Sequence, residues 1–153
     1  MDIVLRDVKS GEEQKIFSIV KKVLEQYCLK TNLEVTDKDL SDIKKHYIAT
    51  GGCFKVIEDN GRIVGSYGLF PLSSDTCELR KMYLLSEYQG RGLGKLMMND
   101  AIKVAQDKGF KEMVLETNSI LDKAIRLYRK YGFQEYQPEH FSDRCDCAMK
   151  LRL

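Results

Sequence analysis

The most informative part of the sequence is Glu78-Leu79-Arg80-Lys81-Met82-Tyr83-Leu84-Leu85-Ser86-Glu87-Tyr88-Gln89-Gly90-Arg91-Gly92-Leu93-Gly94-Lys95. Its pattern predicts a strand, a loop with glycine at alternate positions, and then an amphipathic helix. Glycine lets backbone N–H groups approach a ligand without obstruction by a Cβ atom. The first turn of a helix adds about four unpaired N–H groups and a positive dipole end, and Arg91 and Lys95 bring positive charge beside them. The stretch therefore predicts a site for phosphate oxygens.

The glycine spacing excludes two common phosphate-binding loops. A Walker-A loop needs Ser or Thr after its lysine, but Leu96 follows Lys95. A dinucleotide loop needs G-x-G-x-x-G, whereas this loop reads G-x-G-x-G. Glu116 could imitate the ribose-binding acid of a dinucleotide fold, but too little chain follows the loop for a full dinucleotide domain. A glycine-rich turn that merely starts a helix remains open at this point.

Upstream of this stretch, hydrophobic spacing predicts two helices and a hairpin. Apolar residues recur at helical spacing after Glu12, and Thr36-Asp37-Lys38-Asp39 offers a capping-box start for a second helix. Asp59-Asn60-Gly61 is a tight hairpin signal, because Asn and Gly tolerate positive φ. The predicted elements are strand Ile3–Val8, helix Glu12–Tyr27, a second helix to about Tyr47, and strands Cys53–Glu58, Arg62–Phe70 and Thr76–Leu85.

Downstream, strands and helices alternate. The helix that begins in the glycine loop runs to about Lys108, and a second helix is capped by Ser119-Ile120-Leu121-Asp122 and carries an apolar stripe to Tyr131. The remaining predicted strands are Glu112–Thr117, Phe133–Gln137 and Cys145–Leu153. An antiparallel meander followed by a β-α-β crossover predicts an α/β fold with a mixed sheet and helices packed on it.

Composition narrows the class of protein. With 25 basic and 23 acidic residues interleaved, the sequence has no basic face for nucleic acid. It shows neither a secretory signal nor an apolar run of about 18 residues. Besides Cys145 and Cys147, only His46 and His140 could complete a tetrahedral site, so no metal is expected. We expect one cytoplasmic domain, residues 1–153, with no nucleic-acid or membrane partner.

Two motifs together resemble a known family. Gln89-Gly90-Arg91-Gly92-Leu93-Gly94 is similar to the Q/R-x-x-G-x-G/A pyrophosphate loop of the GNAT superfamily of N-acetyltransferases. Downstream, Leu115-Glu116-Thr117-Asn118 and the run from Ala124 to Phe133 resemble the second signature of that family, A-x-x-x-Y-x-x-x-G-F. The predicted order of strands and helices also follows the topology of the family along the whole chain.

The resemblance implies how acetyl-CoA would bind. Strands Thr76–Leu85 and Glu112–Thr117 should splay apart and hold pantetheine between them. The backbone N–H of Leu84 should meet the acetyl carbonyl, and Leu85 and Ser86 should continue that contact zone. Many members carry Pro where this chain has Ser86. The remaining cofactor contacts are expected from Gln89, Gly90, Arg91, Gly92, Leu93, Gly94, Lys95 and Asn118.

The resemblance also assigns the catalytic groups. Tyr128 matches the general-acid tyrosine that protonates the departing thiolate, although its place on an apolar stripe would also suit simple packing. Glu78 lies six residues before Leu84, where some members carry a catalytic glutamate, and the even separation predicts that both face the same side of the strand. An ion pair of Glu78 with Arg80 or Lys81, and a water chain as the base, remain open.

The expected activity is an acetyl-CoA-dependent N-acetyltransferase that acts on a primary amine, a small metabolite, by direct attack in a ternary complex. Two alternatives are acetylation of a protein α-amine or lysine side chain and a non-catalytic acyl-CoA sensor. Tyr128 favours an enzyme, because a sensor needs no acid for a leaving group. The family also suggests a homodimer.

Overall fold

A seven-stranded mixed sheet forms the centre of the computed structural model, which describes residues 1–153. Its strands are β1 (Ile3–Asp7), β2 (Cys53–Asp59), β3 (Arg62–Pro71), β4 (Thr76–Leu84), β5 (Glu112–Thr117), β6 (Gln134–Tyr136) and β7 (Cys147–Arg152). The α-helices are α1 (Glu13–Glu25), α2 (Leu93–Asp107) and α3 (Asp122–Lys130). Short 3₁₀ turns span Lys38–Ser41 and Ser86–Tyr88, and a π turn spans Lys44–Ile48. None of the helices has both the length and the apolar character that a membrane span requires.

The sheet has the order β1-β2-β3-β4-β5-β7-β6, and its only parallel neighbours are β4 and β5. Their pairing covers Thr76–Glu78 against Glu112–Val114 and goes no further. Beyond those residues β4 continues to Leu84 and β5 continues to Thr117 without pairing to each other. The predicted mixed sheet with two splayed parallel strands is therefore confirmed.

The local predictions upstream of β4 hold at the hairpin and in α1. Asn60 and Gly61 turn the chain between β2 and β3 with φ of 49° and 84°, which is the conformation that the Asn-Gly pair was expected to supply. The apolar stripe of α1 is buried as its spacing predicts: Ile16, Ile19, Val20, Val23 and Leu24.

The second predicted helix is wrong. Residues 38–48 form the 3₁₀ turn and the π turn instead of a regular α-helix. No side chain caps the 3₁₀ turn, and Asp42, which lies outside the predicted capping box, accepts from the Lys45 amide of the π turn at 3.1 Å. The buried carboxyl group of Asp39 hydrogen-bonds the Tyr47 hydroxyl, so it is withdrawn from the capping position. The contact of the buried Asp39 side chain therefore replaces the capping box on which the helix prediction depended.

A β-bulge interrupts β4 at Lys81 and Met82. On β3, Tyr67 alone lies between the residues paired with Arg80 and Tyr83, and Lys81 has a φ of 53°. A bulge inserts one extra residue and reverses the alternation of side chains beyond it. Glu78 and Leu84 therefore lie on opposite faces of the sheet, and the prediction that they share one face is wrong.

Helices cover both faces of the sheet. The Tyr67 hydroxyl donates to Asp100 of α2 at 2.5 Å, which places α2 on one face. Gly68 lies against the ring of Tyr47, so the α1 side of the molecule covers the other face. Because cross-strand partners share a face, Glu78, Arg80 and Tyr83 belong to the α1 face, whereas Leu84 belongs to the α2 face.

The two C-terminal strands are shorter than predicted. β7 begins at Cys147, so Cys145, which was predicted to open that strand, lies in the loop before it. All five cysteines are free thiols.

Candidate active site

A cleft of about 720 Å³ opens where β4 and β5 separate. Both strands, the glycine loop, α3 and the loop before β7 line it. Of the predicted site residues, it brings together Glu78, Leu84, Gln89, Gly90, Gly94, Asn118 and Tyr128. The splay therefore gathers residues from both sequence motifs around one cavity.

The glycine loop turns into α2 through left-handed backbone conformations. Gly90 and Gly92 have φ of 76° and 81°, and Gly92 immediately precedes the helix. A Cβ atom at either position would meet no atom within 4 Å, so backbone conformation, and not crowding within the protein, favours glycine there. At Gly94 a Cβ atom would lie 3.3 Å from the Leu127 side chain, so this glycine permits close packing of α2 and α3.

The backbone N–H of Leu84 points into the gap between the splayed strands. The N–H of Leu85 donates to Val64 of β3 at 2.9 Å. Successive N–H groups of a strand point to opposite edges, so the Leu84 N–H faces the β5 side, where pairing has ended. The Gln89 side-chain amide donates to the Leu84 carbonyl at 3.0 Å and thereby fixes the end of β4 against the glycine loop.

Other residues of the predicted cofactor set lie around the cleft, not in its wall. Leu85 is buried and its amide is engaged by β3, whereas the hydroxyl of Ser86 accepts from Gln26 at 3.1 Å. Leu93 packs in the core at the start of α2. The Arg91 guanidinium lies 5.5 Å from the Tyr88 ring centroid, and Lys95 is exposed on the first turn of α2.

Tyr128 lies on the buried side of α3 and also lines the cleft. Its ring packs against Phe133, with the ring centroids 5.7 Å apart. Burial raises the pKa of the Tyr128 phenol well above its ordinary value, and Tyr83 and Cys145 add to that shift. Burial also raises the pKa of the Tyr83 phenol to about 12. Both phenols therefore hold their protons at neutral pH.

Glu78 lines the cleft from the α1 face as half of an ion pair. Its carboxylate accepts a hydrogen bond from the Arg80 guanidinium, which lies 4.0 Å from the Phe70 ring centroid. This is the ion pair that the sequence left open as an alternative. It places the Glu78 carboxylate on the α1 side of the gap, across the sheet from the Leu84 side chain.

Asn118 joins the end of β5 to the loop before β7. Its side-chain amide donates to the Arg144 carbonyl at 2.9 Å, and its side-chain oxygen accepts from the Ile120 amide at 3.0 Å. The structure thus places the Asn118 side chain in loop contacts at the edge of the cleft. His140 is exposed in the same loop, whereas His46, on the π turn, is partly exposed and lines the cleft.

A buried ion cluster at the edge of the cleft was not predicted from the sequence. The fully buried Asp37 accepts hydrogen bonds from Lys81 and Arg144. Burial alone would raise the pKa of Asp37, but the Arg144 and Lys81 bonds outweigh it and hold that pKa far below its usual range. Because Asp37, Lys81 and Arg144 lie far apart along the chain, only the fold brings the three side chains together.

Comparison with known proteins identifies the class of protein to which this chain belongs. The profile of the Acetyltransferase (GNAT) family matches residues 20–133. Uncharacterized N-acetyltransferase YjgM of Escherichia coli (strain K12) is 35% identical over 136 residues, which cover 86% of this chain and 81% of that protein. This chain therefore belongs to the GNAT acetyltransferase family, and it is an enzyme of the acyltransferase class.

The chain spans about half the length of its mammalian relatives. Human N-acetyltransferase 8B is 33% identical over 103 residues, which cover 63% of this chain and 45% of that protein.

Solved structures share the fold. An acetyltransferase of the GNAT family from Staphylococcus aureus Mu50 has a TM-score of 0.91 at 20% identity and covers 98% of both chains. The acetyltransferase yncA of Salmonella typhimurium, solved with its cofactor acetyl-CoA, has a TM-score of 0.77 at 22% identity, covering 99% of this chain and 94% of that one.

Proposed function

We propose that this enzyme transfers the acetyl group of acetyl-CoA to a primary amine of a small metabolite by direct attack in a ternary complex. The observation that carries the proposal is the direction of the Leu84 N–H, which enters the gap of the splayed strands beside the glycine loop. Membership of the family and the acetyl-CoA held by the Salmonella neighbour support acetyl-CoA as the co-substrate.

The proposed cofactor site follows the cleft from the glycine loop to the end of β4. The amides of residues 90–95 hold the pyrophosphate at the start of α2, where the helix dipole favours negative charge. Pantetheine lies between β4 and β5. The acetyl carbonyl accepts from Leu84, whose fixed N–H stabilises the oxyanion as it develops, a contribution of about 3–4 kcal/mol in comparable sites.

In the proposed reaction the amine nitrogen bonds to the carbonyl carbon, and the carbon–sulfur bond of acetyl-CoA breaks. The departing thiolate takes the phenolic proton of Tyr128. The attacking nitrogen loses its proton to Glu78, directly or through water, on the α1 side of the gap. Before attack, Glu78 relays the proton of the acceptor ammonium to water, since an ammonium group of pKa about 10.4 has no lone pair at neutral pH.

An amine panel tests this proposal. We would incubate the protein with acetyl-CoA and small amines, peptides with a free α-amine, and lysine peptides, and follow release of free thiol. Amine-dependent thiol release with a small amine supports the proposal. Release only with peptides would assign a protein acceptor, and tight acetyl-CoA binding without transfer to any acceptor would assign a sensor; either result overturns it.

A further inference from the structure

Asp37 is a fully buried carboxylate held by two cations. The Arg144 guanidinium donates to both of its oxygens, at 2.8 and 2.9 Å, and the Lys81 ammonium donates at 2.8 Å. The backbone amide of Asn32 adds a fourth hydrogen bond at 2.7 Å. A bidentate pair to a buried carboxylate is among the strongest side-chain contacts in proteins, and it is geometrically specific.

These two cations fasten segment 30–37 to the rest of the molecule. Lys81 donates to the Thr36 carbonyl at 2.9 Å, and Arg144 donates to the Lys30 carbonyl at 3.0 Å. The other hydrogen bonds of the segment are internal, around Asn32, or lead into the adjoining 3₁₀ turn. The position of segment 30–37 therefore depends on Lys81 and Arg144.

Segment 142–146, which contains Arg144, is itself tied to the end of β5. The amide and hydroxyl of Ser142 donate to Glu116 at 3.1 and 3.2 Å. The amide and hydroxyl of Ser119 donate to Asp146, both at 2.7 Å. Arg144 thus reaches from a segment fixed on β5 to a segment whose other hydrogen bonds beyond itself and the adjoining 3₁₀ turn come from Lys81 of the β4 bulge.

Both segments border the cleft on the α1 side of the sheet. Thr36, Ser142 and Arg144 are among the residues that line it. The glycine loop leads into α2, which covers the other face of the sheet. A cofactor bound along the glycine loop leaves the α1 side for the second substrate, so these segments form the wall that an acceptor must contact.

We infer that Asp37, Lys81 and Arg144 form a latch that joins segment 30–37 to segment 142–146, and that Asp37 and Arg144 are positioning residues for the acceptor. This inference rests on the proposed function. Asp39, 3.5 Å from the Lys81 ammonium, supplies a second carboxylate, so the two cations of the latch are balanced within the protein and the latch shapes the acceptor wall without offering a free ion to the acceptor. Its loss should loosen the wall and leave the cofactor site intact.

The first test compares Arg144→Gln and Asp37→Asn with the unmodified protein. We expect the acceptor KM to rise about 10- to 100-fold, as displaced positioning groups commonly cause, while kcat at saturating acceptor and acetyl-CoA affinity by calorimetry stay near their original values. Arg144→Lys keeps the charge but loses the bidentate geometry, and we expect it to recover part of the KM. An unchanged acceptor KM, or an equal loss of acetyl-CoA affinity, would overturn the latch.

Arg6→Gln is the matched control. Arg6 makes a comparable bidentate pair with Glu12, at 2.9 and 2.8 Å, and it lies away from the cleft between β1 and α1. We expect this variant to lose stability without a change in acceptor KM. A KM that rises equally in Arg6→Gln would mean that general loosening, and not the latch, sets acceptor binding.

Hydrogen exchange gives a readout that needs no acceptor. In the folded Arg144→Gln protein we expect faster exchange in segment 30–37, the amide of Asn32 included, with unchanged exchange in α2. If no amine is acetylated by the unmodified protein, the proposed function fails by itself. In that case, slow exchange of segment 30–37 in the variant would still refute the latch. Fast exchange would support the contact between the two segments, but with no acceptor to position, the role of the latch as a positioning device would be overturned.

Discussion

At the scale of single residues, the Tyr128 hydroxyl separates chemistry from packing. Tyr128→Phe keeps the ring beside Phe133, so stability should change little. Turnover should fall by about 10²–10⁴-fold if the phenol protonates the thiolate, while acetyl-CoA affinity should hold, because the proton matters only as charge builds on sulfur. Single-turnover measurements at saturating acceptor check this. Near-normal turnover in the folded variant would leave Tyr128 as a core residue.

Glu78 offers a second test at the same scale. Glu78→Gln should cut turnover at neutral pH and recover part of it as pH rises, because the amine then loses its proton without help. Arg80→Gln serves as the control, since it removes the other half of the ion pair and retains the carboxylate. A pH–rate profile of Glu78→Gln that superimposes on that of the unmodified protein would remove Glu78 from the mechanism.

At the scale of elements, the start of α2 combines a left-handed glycine turn with the proposed pyrophosphate site. Gly92→Ala places a side chain at a φ of 81°, which costs about 1–2 kcal/mol for a left-handed residue, and should weaken acetyl-CoA binding measured by calorimetry. Gly109→Ala is the matched control, because Gly109 has a φ of 87° and an equally open surrounding at the other end of the helix. Equal acetyl-CoA affinity in both folded variants would contradict the assigned site.

Elements with local signals could be predicted from the sequence, and elements shaped by distant contacts could not. The Asn60-Gly61 turn and the stripe of α1 follow from their own residues, and both match the structure. The β4 bulge has no local sign, because Lys81 is an ordinary strand residue in the sequence and its φ of 53° accompanies contacts with Asp37. That one extra residue moved Glu78 to the opposite face from Leu84.

At the scale of the whole molecule, Asp37 should make stability depend on pH. Its pKa is lowered on folding, so its contribution is fully present above the unfolded pKa of about 3.9 and is lost as pH falls toward the folded pKa. Asp37→Asn should therefore be less stable than the unmodified protein at pH 7, with a gap that narrows in acid. Urea unfolding at several pH values measures this, and a gap that stays constant with pH would contradict it.

The candidate site, like the fold, has parts that could be predicted from local sequence and parts that depend on contacts between distant residues. The glycine loop, Leu84 and Tyr128 could be predicted as site residues from two contiguous motifs, and the fold brings Leu84, Tyr128 and part of the loop to one cleft. The latch could not be predicted from the sequence, because Asp37 lies 44 residues from Lys81 and 107 residues from Arg144. Nothing in a single sequence marks which of many charged residues will meet at such distances.

The short joint between β4 and β5 has a consequence for the lifetime of the protein. Three residue pairs connect the four strands on one side of this joint to the three strands on the other. A molecule bound in the gap therefore contacts both halves of the sheet and holds them together. A ligand at about 100 times its Kd adds about 2.7 kcal/mol to stability. We therefore expect acetyl-CoA to slow cleavage of the protein by added protease and to raise its melting temperature. A cell short of acetyl groups would then degrade the molecules without bound acetyl-CoA first.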